Sequence, residues 1–171
     1  QADEHHAQLA LDVIGPDRTM VINVRPATDA IWREMKSAGV DPAAASDRDA
    51  LLGNVKARQR MVAQFAIAGS LGGLVVGTDH AAEAVMGFFT KFGDGAADLL
   101  PLAGLNKRRV RAIASHLGAP LELVDKVPTA DLEDGMPMRP DEDVYGVTYE
   151  QIDDYLEGKP VDRSAAAIIV R

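Results

Sequence analysis

Leu74-Val75-Val76-Gly77-Thr78-Asp79-His80 is the stretch on which the fold turns. The apolar run from Leu74 to Val76 predicts a short buried strand, and a helical stretch from His80 to about Met86 follows at once. Strands alternating with helices imply a parallel sheet covered on both faces. In such sheets ligands bind at the carboxyl ends of strands, where loops meet the free N–H groups of helix starts. Gly77 to His80 occupies that position.

Upstream, residues 3 to 14 predict a helix closed by Gly15-Pro16-Asp17, and the β-branched run Met20 to Val24 predicts a second strand. A helix is expected after Thr28, with Ile31, Trp32 and Met35 on one face and Gly39 as its stop. Ser46 opens a longer helix to about Ala68, with Asp49 completing a capping pair. Two strands make a poorly shielded parallel sheet, so the sheet is expected to be incomplete in these residues. Downstream, Gly87 to Asp98 reads as a glycine-rich loop, and Asn106 caps a helix to Leu117 that Gly118 stops. Residues 125 to 146 carry Pro128, Pro137, Pro140 and many carboxylates with almost no periodicity, the pattern of a functional lid or a disordered loop. Tyr149 to Leu156 predicts a short helix ended by Gly158, and the last residues begin another.

A length of 171 residues, 47% apolar and 26% charged, fits one globular domain over 1–171. No stretch has the apolar length of a membrane span, and there is no signal-peptide pattern. The absence of cysteine excludes disulfides, thiolate zinc sites and a cysteine nucleophile, and suits a reducing cytosol. A net charge of -8 argues against nucleic-acid binding, so an anionic ligand requires locally gathered cations. A start at Gln1 is read as trimmed or incomplete.

Three features resist explanation by packing. Arg58 sits inside the helical stripe Leu51, Val55, Val62, Phe65 and Gly69, where it must snorkel, pair with an acid, or meet a ligand or second subunit. Thr78 or Asp79 is either an N-cap or a ligand contact. Asp79 and Glu83 share a helix face and offer either paired Mg²⁺ ligands or a solvated acidic surface. Asn106-Lys107-Arg108-Arg109 crowds three cations into a first helical turn, where the dipole disfavours them. A phosphate there would supply the missing charge, and a solvent-exposed basic patch is the alternative. His5, His6, His80 and His116 show no zinc-ligand spacing.

The same segments resemble one family. Gly53-Asn54-Val55-Lys56-Ala57-Arg58, Gly77-Thr78-Asp79-His80-Ala81-Ala82-Glu83-Ala84 and Gly87-Phe88-Phe89-Thr90-Lys91-Phe92-Gly93-Asp94-Gly95 are similar to NAD synthetases. So are Leu105-Asn106-Lys107-Arg108, Pro128-Thr129-Ala130-Asp131-Leu132 and Ile152-Asp153-Asp154-Tyr155-Leu156-Glu157-Gly158, in family order over nearly the whole chain. The resemblance implies a three-layer α/β/α fold with a parallel sheet, Rossmann-like and of the adenine nucleotide alpha-hydrolase-like type.

It also implies an ammonia-dependent enzyme that adenylates deamido-NAD with ATP and amidates the acyl-adenylate, giving NAD, AMP and pyrophosphate. By motif position, Thr78, Lys107 and Thr129 are expected at ATP, with Thr129 in a mobile lid. Glu83 is expected at Mg²⁺, and Arg58, Lys91 and Asp98 at deamido-NAD. A homodimer is implied, with no nucleic acid, no membrane and a cytoplasmic location. The family's Ser-Gly-Gly-x-Asp-Ser ATP loop and its terminal His-Lys pair do not occur among these residues, so the chain alone is expected to be inactive. Two rival readings are the synthetase domain of a glutamine-dependent NAD synthetase and a non-catalytic nucleotide-binding dimer module.

Overall fold

The computed structural model describes residues 2–41, 48–129 and 138–170. Its described elements are α1 (Ala2–Ile14), α2 (Arg25–Ser37), α3 (Arg48–Leu71), α4 (Ala81–Met86), α5 (Lys107–His116), α6 (Leu121–Val124), α7 (Asp141–Tyr145), α8 (Tyr149–Leu156) and α9 (Arg163–Ile169). Among the described residues no helix is long and apolar enough to cross a membrane.

The core forms around α8. Thr148 caps it through the N–H of Gln151, and the Gln151 side chain returns to the Thr148 N–H at 2.9 Å, a reciprocal capping box. The cap fixes the helix phase so that Tyr149 and Ile152 turn inward against Ala82 of α4, Tyr145 of α7, Val147, and Ala165 and Ile169 of α9. Met86, Phe88 and Ile168 pack over that cluster. α5 also packs on α8, whereas α2 packs on α3.

Among the described residues the predicted parallel sheet is present as one rung: Val76 bridges Leu99 in parallel. Gly77 donates to the Leu99 carbonyl at 2.8 Å, and Leu99 donates to the Val75 carbonyl at 3.1 Å. A Cβ on Gly77 would stand 2.6 Å from Leu100 Cδ2 and 2.7 Å from Ala97 Cβ, so the close pairing demands glycine there. Val75 is buried, whereas Leu74 and Val76 are exposed. The Leu74–Val76 expectation therefore holds only as a bridge.

The expected strand at Met20 to Val24 does not form. Val21 is 97% exposed, and no described segment pairs with it. A β-branched run without a neighbouring strand has nowhere to place its N–H and C=O groups but solvent. The helix expected after Thr28 starts at Arg25 instead, with proline in its first turn. Ser46, the expected opening of α3, lies outside the described residues; the helix runs on to Leu71 rather than ending near Ala68. The segment 125–146 is not wholly irregular, because α7 forms within it between Pro140 and Gly146. An antiparallel bridge joins Thr129 and Pro140.

Candidate functional site

An open cleft of about 320 Å³ lies where the starts of α4, α5 and α7 meet residues 128–129. Glu83, Lys107, Thr129 and Asp141 line it, together with Arg111 and Lys126. Three of the residues predicted for the nucleotide and its metal, Glu83, Lys107 and Thr129, thus share one wall-to-wall space. Thr78 is exposed and does not line this cleft.

Glu83 owes its orientation to His80. The helix cap falls on His80, not on Thr78 or Asp79, and His80 is 3% exposed. Its Nδ1 accepts from the Glu83 N–H at 3.4 Å, while its own main-chain N–H donates to Glu83 Oε2 at 3.1 Å. Its Nε2 lies 3.1 Å from Glu83 Oε1. Burial pushes the Glu83 carboxyl upward, but the hydrogen bonds and charge of His80, with the charge of Lys107, outweigh it and leave the pKa below normal. Glu83 is therefore an ionised carboxylate on a cleft wall. Sequence reading set His80 aside because it lacks zinc spacing; its place three residues before Glu83, opening a helix, was the available signal.

Lys107 reaches the same imidazole, its Nζ 3.2 Å from His80 Nε2 and 5.0 Å from the Tyr149 ring centre. Burial lowers its pKa, opposed by the charges of Glu83, Asp141 and Asp153. The backbone donors at the start of α5, where a phosphate was expected, are taken by the protein itself. The Asp153 carboxylate accepts the main-chain N–H groups of Lys107 at 3.0 Å and Arg108 at 2.6 Å. Asn106 takes the Arg109 N–H at 3.0 Å. Arg108 pairs with Asp154 at 2.9 Å and Glu157 at 3.0 Å. The acids of α8 thus neutralise the crowded first turn, and of its three cations only Lys107 lines the cleft.

Asp141, which sequence reading left inside an undifferentiated acidic run, is 5% exposed. Its Oδ2 accepts from the Tyr149 hydroxyl at 2.8 Å, and that hydroxyl lies 3.2 Å from the Tyr145 hydroxyl. Its Oδ1 is buried and has no hydrogen-bond partner among the described residues. Burial raises its pKa against the Tyr149 hydrogen bond and the Lys107 charge, and burial likewise raises both tyrosines.

A hard divalent cation fits this cleft. Glu83 Oε2 accepts one hydrogen bond, from the His80 N–H, so the carboxylate keeps acceptor capacity, and Asp141 and Thr129 line the same space. Among the described residues no three His, Cys, Asp or Glu side chains form a metal cage. One or two carboxylates with waters and ligand phosphates is the environment that Mg²⁺ favours. Asp79 does not line this cleft. Burial and the charges of Asp94 and Glu83 push its carboxyl up to about 6.

Arg58 and Lys91 meet away from the cleft. The Arg58 Nε donates to the Lys91 carbonyl at 3.1 Å, so among the described residues a main-chain oxygen partners the arginine in its stripe. Thr90 secures the loop, its hydroxyl on Asn54 Oδ1 at 2.7 Å and its N–H on Asp94 Oδ1 at 2.8 Å. The Lys91 Nζ stands 5.2 Å from the Phe92 ring centre. Asp98 sits at the parallel bridge instead, with Oδ2 taking the Val75 N–H at 2.7 Å.

A sequence model of the NAD synthase family matches residues 1–168. An NH(3)-dependent NAD(+) synthetase of Burkholderia mallei (strain SAVP1) is 57% identical over 171 residues, 100% of this chain and 60% of its own length. The solved NAD+ synthetase of Burkholderia pseudomallei superposes with a TM-score of 0.79 at 56% identity, covering 96% of this chain and 61% of that one. An NMN synthetase from Francisella tularensis superposes with a TM-score of 0.86 at 38% identity, covering 98% and 66%. The chain thus spans about 60% of the length of the curated relatives it matches.

Proposed function

This chain belongs to the NAD synthase family, with its α/β Rossmann-like fold, and from that premise we propose that it supplies most of the nucleotide site of an ammonia-dependent NAD synthetase. The reaction is the ATP-dependent amidation of deamido-NAD. A nicotinate carboxylate oxygen attacks the α-phosphorus of ATP and pyrophosphate leaves. Ammonia then attacks the acyl carbon, its nitrogen loses a proton, and AMP departs to leave NAD.

One observation carries this reading: Glu83, Lys107 and Thr129 share a single cleft despite lying far apart in sequence. Lys107 brings a desolvated cation to a phosphate, and Thr129 a hydroxyl. Thr78, on the loop after the bridge, belongs to the same nucleotide. Glu83 is the carboxylate for Mg²⁺, which when bound neutralises phosphate oxygens and eases departure of pyrophosphate. Arg58, Lys91 and Asp98 serve deamido-NAD. No side chain need become a nucleophile, because alignment of two polyanions and charge stabilisation account for the catalysis. A cytoplasmic homodimer completes the proposal, supported by the apolar stripe of α3, on which Val62 is 53% exposed.

The test is the full-length protein with ATP, ammonium and either deamido-NAD or the corresponding mononucleotide acid, since an NMN synthetase is among the similar structures. NAD and AMP formed in equal amounts, with Lys107→Met lowering kcat/KM by roughly 10- to 100-fold, support the reading. Activity with the mononucleotide acid alone would reassign the substrate. No AMP from either acid would favour a non-catalytic nucleotide-binding module.

A further inference from the structure

We propose that His80 is a positioning residue that keeps Lys107 and Glu83 from neutralising each other, holding the carboxylate ready for a divalent cation and the ammonium ready for a phosphate. The inference rests on the nucleotide reading above and adds a residue to it.

The hydrogen bonds fix the ring. Nδ1 accepts from the Glu83 N–H, so in the neutral imidazole Nε2 carries the hydrogen. Glu83 Oε1 lies 3.1 Å from that nitrogen, close enough for charge interaction but without hydrogen-bond alignment. The Lys107 Nζ lies 3.2 Å from the same Nε2, a polar contact in which the donor and acceptor roles follow the tautomer of the ring. Among the described residues no ion pair joins Lys107 to Glu83 directly, although both line one cleft. Opposite charges in a partly desolvated space attract strongly, and a flexible lysine closes on a nearby carboxylate unless something holds it off. The imidazole is the group in contact with both. Its near-complete burial, the tilted Tyr149 ring with centroids 6.0 Å apart, and the capping bonds hold it in place. Tyr149 gives the displaced ammonium an alternative seat over its ring.

The experiment measures Mn²⁺ affinity of the full-length protein by electron paramagnetic resonance, with ATP present and no acid substrate. His80→Asn retains a good helix cap while removing the ring. It is expected to weaken Mn²⁺ binding about 10-fold, as loss of a group that orients a metal ligand does. Adding Lys107→Met to His80→Asn should recover at least part of that loss, because the lysine no longer competes for Glu83. A merely structural role for His80 predicts no such recovery. Unchanged Mn²⁺ affinity in His80→Asn, or a Lys107→Met effect of the same sign and size in both backgrounds, overturns the proposal. If His80→Asn does not fold, nitrogen-15 histidine spectra of the wild type decide: the Nε2-protonated tautomer supports it and the Nδ1-protonated form overturns it. Absence of any ATP-linked Mn²⁺ binding by the wild type would sink the nucleotide reading itself, and this inference with it.

Discussion

The buried Asp153 carboxylate accepts the main-chain N–H of Arg108 at 2.6 Å, binding the start of α5 to α8. Its other oxygen takes the Lys107 N–H, so one side chain satisfies two donors that a helix start leaves free. Asp153→Ala should cost about 2–3 kcal/mol of stability, and Asp153→Asn less, because the amide retains one acceptor. Urea denaturation with a two-state fit measures both. Equal stability of all three proteins would show that the contact contributes nothing.

Asp79 gives the pH dependence. Its carboxyl rises from 3.8 to about 6 in the fold, chiefly by burial and then by repulsion from Asp94 and Glu83. A raised acid binds its proton more tightly when folded, so stability falls as pH climbs from about 4 to 6 and is flat above. Asp79→Asn should raise the melting temperature at pH 7.5 and change it little near pH 4. A shift of the same size at both pH values would contradict the assignment.

Gly93 lets the loop carrying Lys91 lie against α3. A Cβ there would stand 2.8 Å from Thr90 Cβ and 3.1 Å from Ala57 Cβ. Gly93→Ala should therefore destabilise the protein by about 1–3 kcal/mol and displace the Lys91 carbonyl from Arg58. Calorimetry tests the first effect. Binding of deamido-NAD should weaken more than binding of ATP, which calorimetric titration of each nucleotide separates.

Arg58 makes a partly exposed hydrogen bond to a main-chain oxygen, a contact worth no more than about 1 kcal/mol. Arg58→Ala should accordingly change the unfolding midpoint little while weakening deamido-NAD at least several-fold. A large stability loss with unchanged dinucleotide affinity would make it a structural residue only.

Much of this arrangement could be read from the residues. Asn106 and Thr148 announced their helices because capping is written within four residues, and the run Leu74 to Val76 marked the place where one parallel bridge forms. Met20 to Val24 misled because β-branched residues favour a strand only where another strand receives them. Asp153 was invisible as the counter-charge of α5, lying 46 residues from Lys107, and a phosphate was expected in its place. His80 and Asp141 escaped for the same reason: their significance comes from what lies across the cleft, not from their neighbours in the chain.

Since Asp153 already occupies the backbone donors of α5, a phosphate in the cleft must be drawn by side chains: Lys107, Arg111 and Lys126. Those few cations work among 171 residues of net charge -8, whose distant field repels a polyanion. At physiological ionic strength, screening over about 8 Å mutes that distant repulsion, while the short contacts in the half-enclosed cleft survive. Moderate salt should therefore speed nucleotide encounter rather than slow it, the reverse of what a basic phosphate-binding surface shows.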